Sequence, residues 1–339
     1  MDQKNILEKI LKLIITKIKY LSFLMNTFFN SINKSSIKWI AIIFICLITL
    51  LFILPFDFIL IKKISPYAIY WMYFCLFFGI SCLMFNLTHL LYVSFSCCGI
   101  IALFLLTSFN SSIRFSNEES FNSVSIVFIN PTLGNEDLTS NVFLFQQLNP
   151  DIICIEELTP DWVDFVLKNK TKYPYQTTLL RVDPLGKGIY SKLPFIHVDT
   201  LNYQNKPILL CTIQNENKDS VCIGVCNTPP PLTLRDFQRL TIYLDSFALY
   251  LKRSPKLQLI ATNLNIVPWS SEFRTFKTTS NLFSSRRDNN EGINSSFFSI
   301  PNNEILFSNL VECTSFSVIQ DSNNKTIGIF GKYQFKKSN

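Results

Sequence analysis

Residues 259–274 read LIATNLNIVPWSSEFR, an apolar run that turns polar at Asn263 and Asn265 and then meets Pro268 and Trp269. Such a run reads as a buried strand. Side-chain alternation predicts the two asparagines on one face at its tip, two residues apart, and Pro268-Trp269 leading into a helix. A polar pair held at the tip of a buried strand is well placed for chemistry.

Working outward, residues 124–130 form a short strand ending in asparagine, and Asp137 can cap a helix running to about Leu148. Asn149-Pro150-Asp151 is a turn. Residues 152–155 are an apolar strand that delivers Glu156 and Glu157, ahead of a helix over 160–167. Residues 208–213 and 221–226 read as paired strands around a polar turn, followed by Asn227 and three prolines. Leu234, Phe237, Leu240, Leu244, Phe247 and Leu251 recur at helical spacing and predict a core-facing helix, with Arg235 and Arg239 on its solvated side. Strands over 301–306, 310–319 and 324–330 close the chain. Strands alternating with helices define an α/β domain.

These segments resemble the endonuclease/exonuclease/phosphatase (DNase I-like) superfamily of metal-dependent phosphoesterases. Its members read Gly-Asp-Phe-Asn and then x-x-Pro-Trp, where this chain has Thr262-Asn263-Leu264-Asn265 and Pro268-Trp269. They read Asn at the first strand end, Pro-Asp, an apolar strand and Gln-Glu-x-Thr, where this chain has Asn130, Pro150-Asp151, residues 152–155 and Glu156-Glu157-Leu158-Thr159. Tyr173-Pro174-Tyr175 and Gly186 followed by Ser191, Lys192 and Pro194 match further structural segments. The resemblance implies a two-layer α/β sandwich. It also implies that Glu157 takes the place of the metal-binding glutamate, with Asn130 beside it, for Mg²⁺, which needs only one or two protein carboxylates. By its own position Glu157 equally favours the positive end of the helix that follows.

The catalytic positions implied by the resemblance are Asn263, Asn265, Asn227, Asn303, Lys325 and Thr326, and only Asn265 keeps the family residue. Asn263 stands for an aspartate and Asn227 for a histidine. Asn303-Glu304 and Lys325-Thr326 stand for Asp-His pairs. A carboxamide cannot accept a proton as a carboxylate does, and a threonine cannot carry the charge of an imidazolium. Losing one such group lowers a rate by about 10² to 10⁴. The chain has two histidines, His89 and His197, and neither lies in a matched segment. The expectation is a catalytically degenerate, membrane-anchored member that binds a phosphate-containing ligand, a lipid headgroup or a protein partner. The alternative is a divergent Mg²⁺-dependent phosphoesterase acting on a lipid-linked or small phosphodiester at the membrane. The cofactor is then Mg²⁺ or none, and whether the chain is an enzyme stays open.

Residues 39–56, 67–85 and 90–109 are nearly uncharged apolar runs, each close to the roughly 20 residues that cross a bilayer as a helix. A signal peptide is the competing reading of the first run, but it lies far from the start and two more runs follow. Residues 1–116 hold 10 Lys+Arg against 3 Asp+Glu, whereas residues 117–339 hold 21 of each. The basic excess therefore belongs to the membrane end. It fits lipid headgroups and topology signalling and argues against nucleic acid as the partner. Ile6, Ile10, Ile14, Ile18 and Leu21, with lysines between them, suit an interfacial helix or one packed on a partner. The organisation is a basic amphipathic segment over 1–37, three spans within 38–110, a linker over 111–122 and the family-like domain over 123–339. Lysines before the first span place the N-terminus in the cytoplasm and the domain outside it, although Lys62 and Lys63 between the first two spans pull the other way.

Ten cysteines lie in spans or apolar runs and read as buried thiols, Cys211 and Cys222 included, although these two flank a hairpin turn. Arg286 and Arg287 read as part of an exposed polar loop, with phosphate binding as the alternative.

Overall fold

The segments SVSIVFI and IICIE are too apolar to face water on either side, and they become the buried centre of a sheet as β1 (Ser123–Ile129) and β2 (Ile152–Glu156). The computed structural model describes residues 34–109, 123–130, 148–158, 172–214, 219–254, 257–288, 301–320 and 326–335. The interfacial helix, the linker, the helix after Asp137 and the helix over 160–167 expected from sequence lie outside those residues, apart from Leu148. The chain divides into two units. One contains Trp71–Ile100 and the residues up to Leu51, and the other contains Phe52–Tyr70 and everything after Ile100.

Helices α1 (Lys34–Ile53), α2 (Ile59–Ile64), α3 (Ala68–Met84) and α4 (Thr88–Phe109) carry the apolar runs. Three stretches, Ser36–Ile53, Ile59–Met84 and Thr88–Ser108, are long and apolar enough to cross a membrane. Within the first unit Ile45, Cys75, Cys82, Leu90 and Cys97 form a small core, and Trp71 Nε1 donates to Thr49 Oγ1 at 3.0 Å. Trp39, Ile43, Phe77 and Leu83 point outward, each more than half exposed. Helices apolar all round need an apolar surrounding. Lys62 and Lys63, expected between the first two spans, sit on the short helix α2.

The second unit holds two six-stranded mixed sheets of matching layout. The first runs β11-β12-β1-β2-β4-β3 and the second β5-β6-β7-β8-β10-β9. Its further strands are β3 (Tyr175–Leu179), β4 (Lys187–Ser191), β5 (Phe195–Tyr203), β6 (Lys206–Gln214), β7 (Ser220–Asn227), β8 (Leu257–Asn263), β9 (Leu282–Ser284), β10 (Asn303–Ser308), β11 (Val311–Gln320) and β12 (Thr326–Phe335). Each sheet has one parallel pair, β1–β2 in the first and β7–β8 in the second, and is otherwise antiparallel. A parallel pair needs a crossover, and α5 (Leu234–Arg253) supplies it between β7 and β8.

Phe128, Ile223, Leu259, Phe307, Phe316 and Tyr333 fill the space between the sheets. The helix expected from the Leu/Phe repeat is α5, started by a Thr233–Asp236 capping box. With α6 (Ser271–Ser280) it covers the outer face of the second sheet, where Phe247 and Phe276 stack. β8 is buried on both faces for that reason: Leu259 and Ala261 meet the first sheet while Ile260 meets the helices. All ten cysteines are free thiols. Cys222 pairs with Thr212, so Cys211 and Cys222 face opposite sides of the sheet and cannot bond.

Gly186 ties the β2 end to β4. Leu158 N donates to Gly186 O at 3.1 Å, and a Cβ on Gly186 would stand 2.3 Å from Leu158 O. We expect Gly186→Ala to cost about 1–3 kcal/mol through this backbone collision, read as a lowered thermal midpoint of the full chain in detergent. An unchanged midpoint would show that the two segments part freely.

Candidate functional site

The two sheets carry a row of polar residues at the same end, because in each sheet the parallel strands finish there. In the second sheet Asn227, Asn263 and Asn303 stand side by side on β7, β8 and β10. In the first, Glu156 on β2 is paired with Lys187 on β4, and Asn130 follows Ile129, just as Glu156 follows its partner Ile155. All six are buried, Glu156 and Lys187 completely.

Hydrogen bonds join the rows across the sandwich. Asn263 Nδ2 donates to Glu156 Oε1 at 2.8 Å, and Lys187 Nζ donates to Asn227 Oδ1 and, at 3.0 Å, to Leu185 O. Asn227 Nδ2 donates to Pro184 O at 2.8 Å, which fixes the turn ahead of β4. Beyond the strand, Asn263 Oδ1 accepts from Asn265 N at 3.2 Å, and Asn265 Nδ2 donates to Thr228 O at 2.7 Å. The expected same-face pairing of Asn263 and Asn265 is corrected here: β8 ends at Asn263, and Asn265 has φ 51°, a left-handed turn that breaks the alternation.

The buried charges respond to this setting. Burial pushes the Glu156 carboxyl up to about 8, against the hydrogen bond from Asn263 and the nearby Lys187 charge, both of which favour the ionised form. Burial pulls the Lys187 ammonium down to about 8. Asn303 Oδ1 is buried without a hydrogen-bond partner, and Asn130 adds a second hydrogen bond to the Glu156 carboxyl. A proton on Glu156 at neutral pH removes the cost of an isolated buried carboxylate.

Of the positions singled out in the sequence, Asn130, Asn227, Asn263 and Asn303 lie in these rows. Asn265 lies on the turn after β8. Glu157 follows Glu156 with φ 52° and is half-buried. Thr326 opens β12, next to the edge strand β11, and Lys325 lies outside the described residues. Glu304 is buried away from the amide row, bonded to Ser284 Oγ at 2.5 Å and paired with Arg286 at 2.8 Å. Arg286 is therefore not on an exposed loop: its charge is needed inside, by Glu304. His197 is exposed on the edge strand β5 and His89 is exposed on α4. Sequence reasoning missed Glu156 and Lys187 as site residues. The available signal was a lysine between two glycines in an otherwise buried strand, GKGIYS.

The rows present one carboxylate with an amide donor already on one of its oxygens, three carboxamides in register and a buried ammonium. Among the described residues no group of three His, Cys, Asp or Glu side chains could hold a metal ion. A divalent cation at Glu156 would have to displace the Asn263 donor and sit in the field of Lys187. Glu156, engaged in this way, does not fit as a ligand for a divalent cation, and the expected ligands Glu157 and Asn130 stand just beyond the ends of β2 and β1.

Comparison with known proteins agrees with the topology. No curated protein matches the sequence. The catalytic domain of human Nocturnin, solved with a bound sulfate anion, superposes with TM-score 0.51 at 12% identity over 63% of this chain and 94% of that one. A Bacteroides vulgatus endonuclease/exonuclease/phosphatase superposes with TM-score 0.51 at 11% identity over 63% and 99%. Danio rerio TDP2, in complex with a single-strand DNA product, gives 0.50 at 13% identity over 62% and 99%. At these identities the likeness is one of fold. The sequence profile of the Endonuclease/Exonuclease/phosphatase family matches residues 140–312, just over half of the chain. With the DNase I-like sandwich and its strand-end rows in place, this chain belongs to the endonuclease/exonuclease/phosphatase family.

Proposed function

We propose that the protein is a membrane-anchored, catalytically degenerate member of its family, whose domain serves as a binding module at the membrane. A phosphate-containing ligand, a lipid headgroup or a protein partner is what it would take there. The observation that carries this reading is the Asn263 Nδ2 to Glu156 Oε1 bond at 2.8 Å. Hydrolysis needs a carboxylate to orient or deprotonate water and a positive group to meet charge developing on phosphate oxygens. At the base position an amide donates, and its acceptor is Glu156, which stands where the family motif has a glutamine. Lys187, the one cation in the rows, is held by Asn227 and Leu185. The cation and the Asn263 donor are engaged inside the network, and this reading calls on no Mg²⁺ to balance them.

The same reading places the N-terminus in the cytoplasm and the domain outside it. Its support is that Lys62, whose position pulls against this orientation, is paired with Glu272 and Asp57. Its charge is balanced inside the protein and carries little weight as a topology signal. A reporter active only in the cytoplasm and fused after Asn339 is expected to stay silent; signal from it would reverse the orientation.

Two further outcomes follow from the network. Full-length protein, assayed on phosphodiesters and phosphomonoesters with Mg²⁺ or Mn²⁺ and with a chelator, is expected to show no turnover above its Glu157→Ala variant. Metal-dependent turnover abolished by that change would establish the divergent phosphoesterase instead. The second outcome concerns pH. Glu156 binds its proton more tightly folded than unfolded, so stability falls as pH rises from about 4.5 towards about 8. Lys187 binds its proton less tightly folded, so its contribution rises from about 8 towards 10.5. Denaturation of the full chain in detergent should show a minimum near pH 8. Glu156→Gln should flatten the acid limb, whose slope for one group is at most about 1.4 kcal/mol per pH unit. An acid limb unchanged in that variant would assign it to other groups.

A further inference from the structure

The layer of the domain formed by α5 and α6 is gripped by the segments that lead into the apolar helices. Lys62 on α2 pairs with Glu272 on α6, and its ammonium lies 5.3 Å from the Phe237 ring on α5. Ile59 packs on the apolar cluster beneath both helices. Trp269 Nε1 donates to Ser65 O at 2.8 Å, just ahead of α3. At the end of α4, Lys277 Nζ donates to Ser108 O at 2.5 Å and the Arg274 guanidinium lies 5.1 Å from the Phe104 ring. Glu272 and Lys277 are buried by these contacts. A domain on a slack tether would need none of them.

This layer has an outer face of unusual composition. On α5, opposite the stripe that packs on the sheet, Leu234, Ile242 and Leu249 are 41%, 52% and 54% exposed. At 3.6 residues per turn they fall within about 80° of arc. Arg235, Arg239, Lys252 and Arg253 are exposed around them, against Asp245 as the exposed acidic residue of the helix. An apolar stripe flanked by cations is the composition of a helix that lies in the interface of an anionic bilayer.

We propose that the exposed face of α5 rests on the surface of the membrane that the chain spans. Leu234, Ile242 and Leu249 enter the headgroup region, and Arg235, Arg239, Lys252 and Arg253 meet anionic lipid. The inference rests on the membrane-anchored reading. Two observations name the bilayer as occupant: the face is continuous with the layer that the span ends already hold, and its charge is complementary to anionic headgroups. The domain then sits on its helical side.

The test uses the full chain in nanodiscs of phosphatidylcholine with and without phosphatidylglycerol. Leu249→Cys is labelled with a water-soluble maleimide beside Val182→Cys, whose native residue is 102% exposed in the loop between β3 and β4, and against the buried cysteines of the domain. With phosphatidylglycerol, Leu249→Cys should react about tenfold more slowly than Val182→Cys. Replacing Arg235, Arg239, Lys252 and Arg253 by Glu should restore its reactivity while leaving Val182→Cys unchanged. Equal rates at both sites overturn the proposal. So does protection that grows with protein concentration, since a second copy then covers the face, and so does protection indifferent to phosphatidylglycerol or to the four charge reversals. Chain that an alkaline wash strips from the nanodiscs would refute anchoring itself, whereas retained chain with a reactive Leu249→Cys refutes this inference alone.

Discussion

A carboxyl and an ammonium removed from water must find partners inside the protein, and Glu156 and Lys187 impose that demand at the centre of this fold. Each is fully buried at the end of a central strand. The second sheet answers with amides: Asn263 donates to Glu156, and Asn227 accepts from Lys187. These bonds join the two sheets at their polar ends as the apolar core joins them elsewhere. Leaving either charge alone would cost several kcal/mol. The amides therefore complete at the polar end the contact between sheets that Phe128 and Phe307 make in the core.

That requirement gives the amides a structural role on a scaffold of this family. A carboxamide keeps the size of the carboxylate and its hydrogen-bonding reach but adds donors and removes the charge. Asn263 and Asn303 occupy strand positions implied by family resemblance to hold acids. Three amides in register beside a protonatable Glu156 and a nearby Lys187 make a cohesive polar layer.

The α5–α6 layer follows a parallel logic. Lys62, Glu272 and Lys277 are charges in or beside apolar surroundings, and each is matched within the unit by an ion pair or a carbonyl. Such pairs do little for affinity when solvated but fix geometry when buried. Here they fix how α5 and α6 meet the segments that enter the apolar helices.

The sequence by itself determined the three apolar helices, the α/β class and the family resemblance, because each is written in local runs: uninterrupted apolar stretches, a helical repeat on α5, and the Asn-Leu-Asn and Glu-Glu-Leu-Thr segments at strand tips. It also located Asn130, Asn227, Asn263 and Asn303. What it could not supply were relations between distant residues. That Glu156 turns inward, that Lys187 lies within reach of Asn227, 40 positions away, and that Arg286 answers Glu304 depend on how strands far apart in sequence are paired and stacked. A left-handed residue at Asn265 overrode the alternation that a strand would impose. Only the tertiary structure decided which polar groups meet, because a buried charge is matched by whatever the packing brings within a hydrogen bond of it, and neighbours along the chain do not reveal that partner.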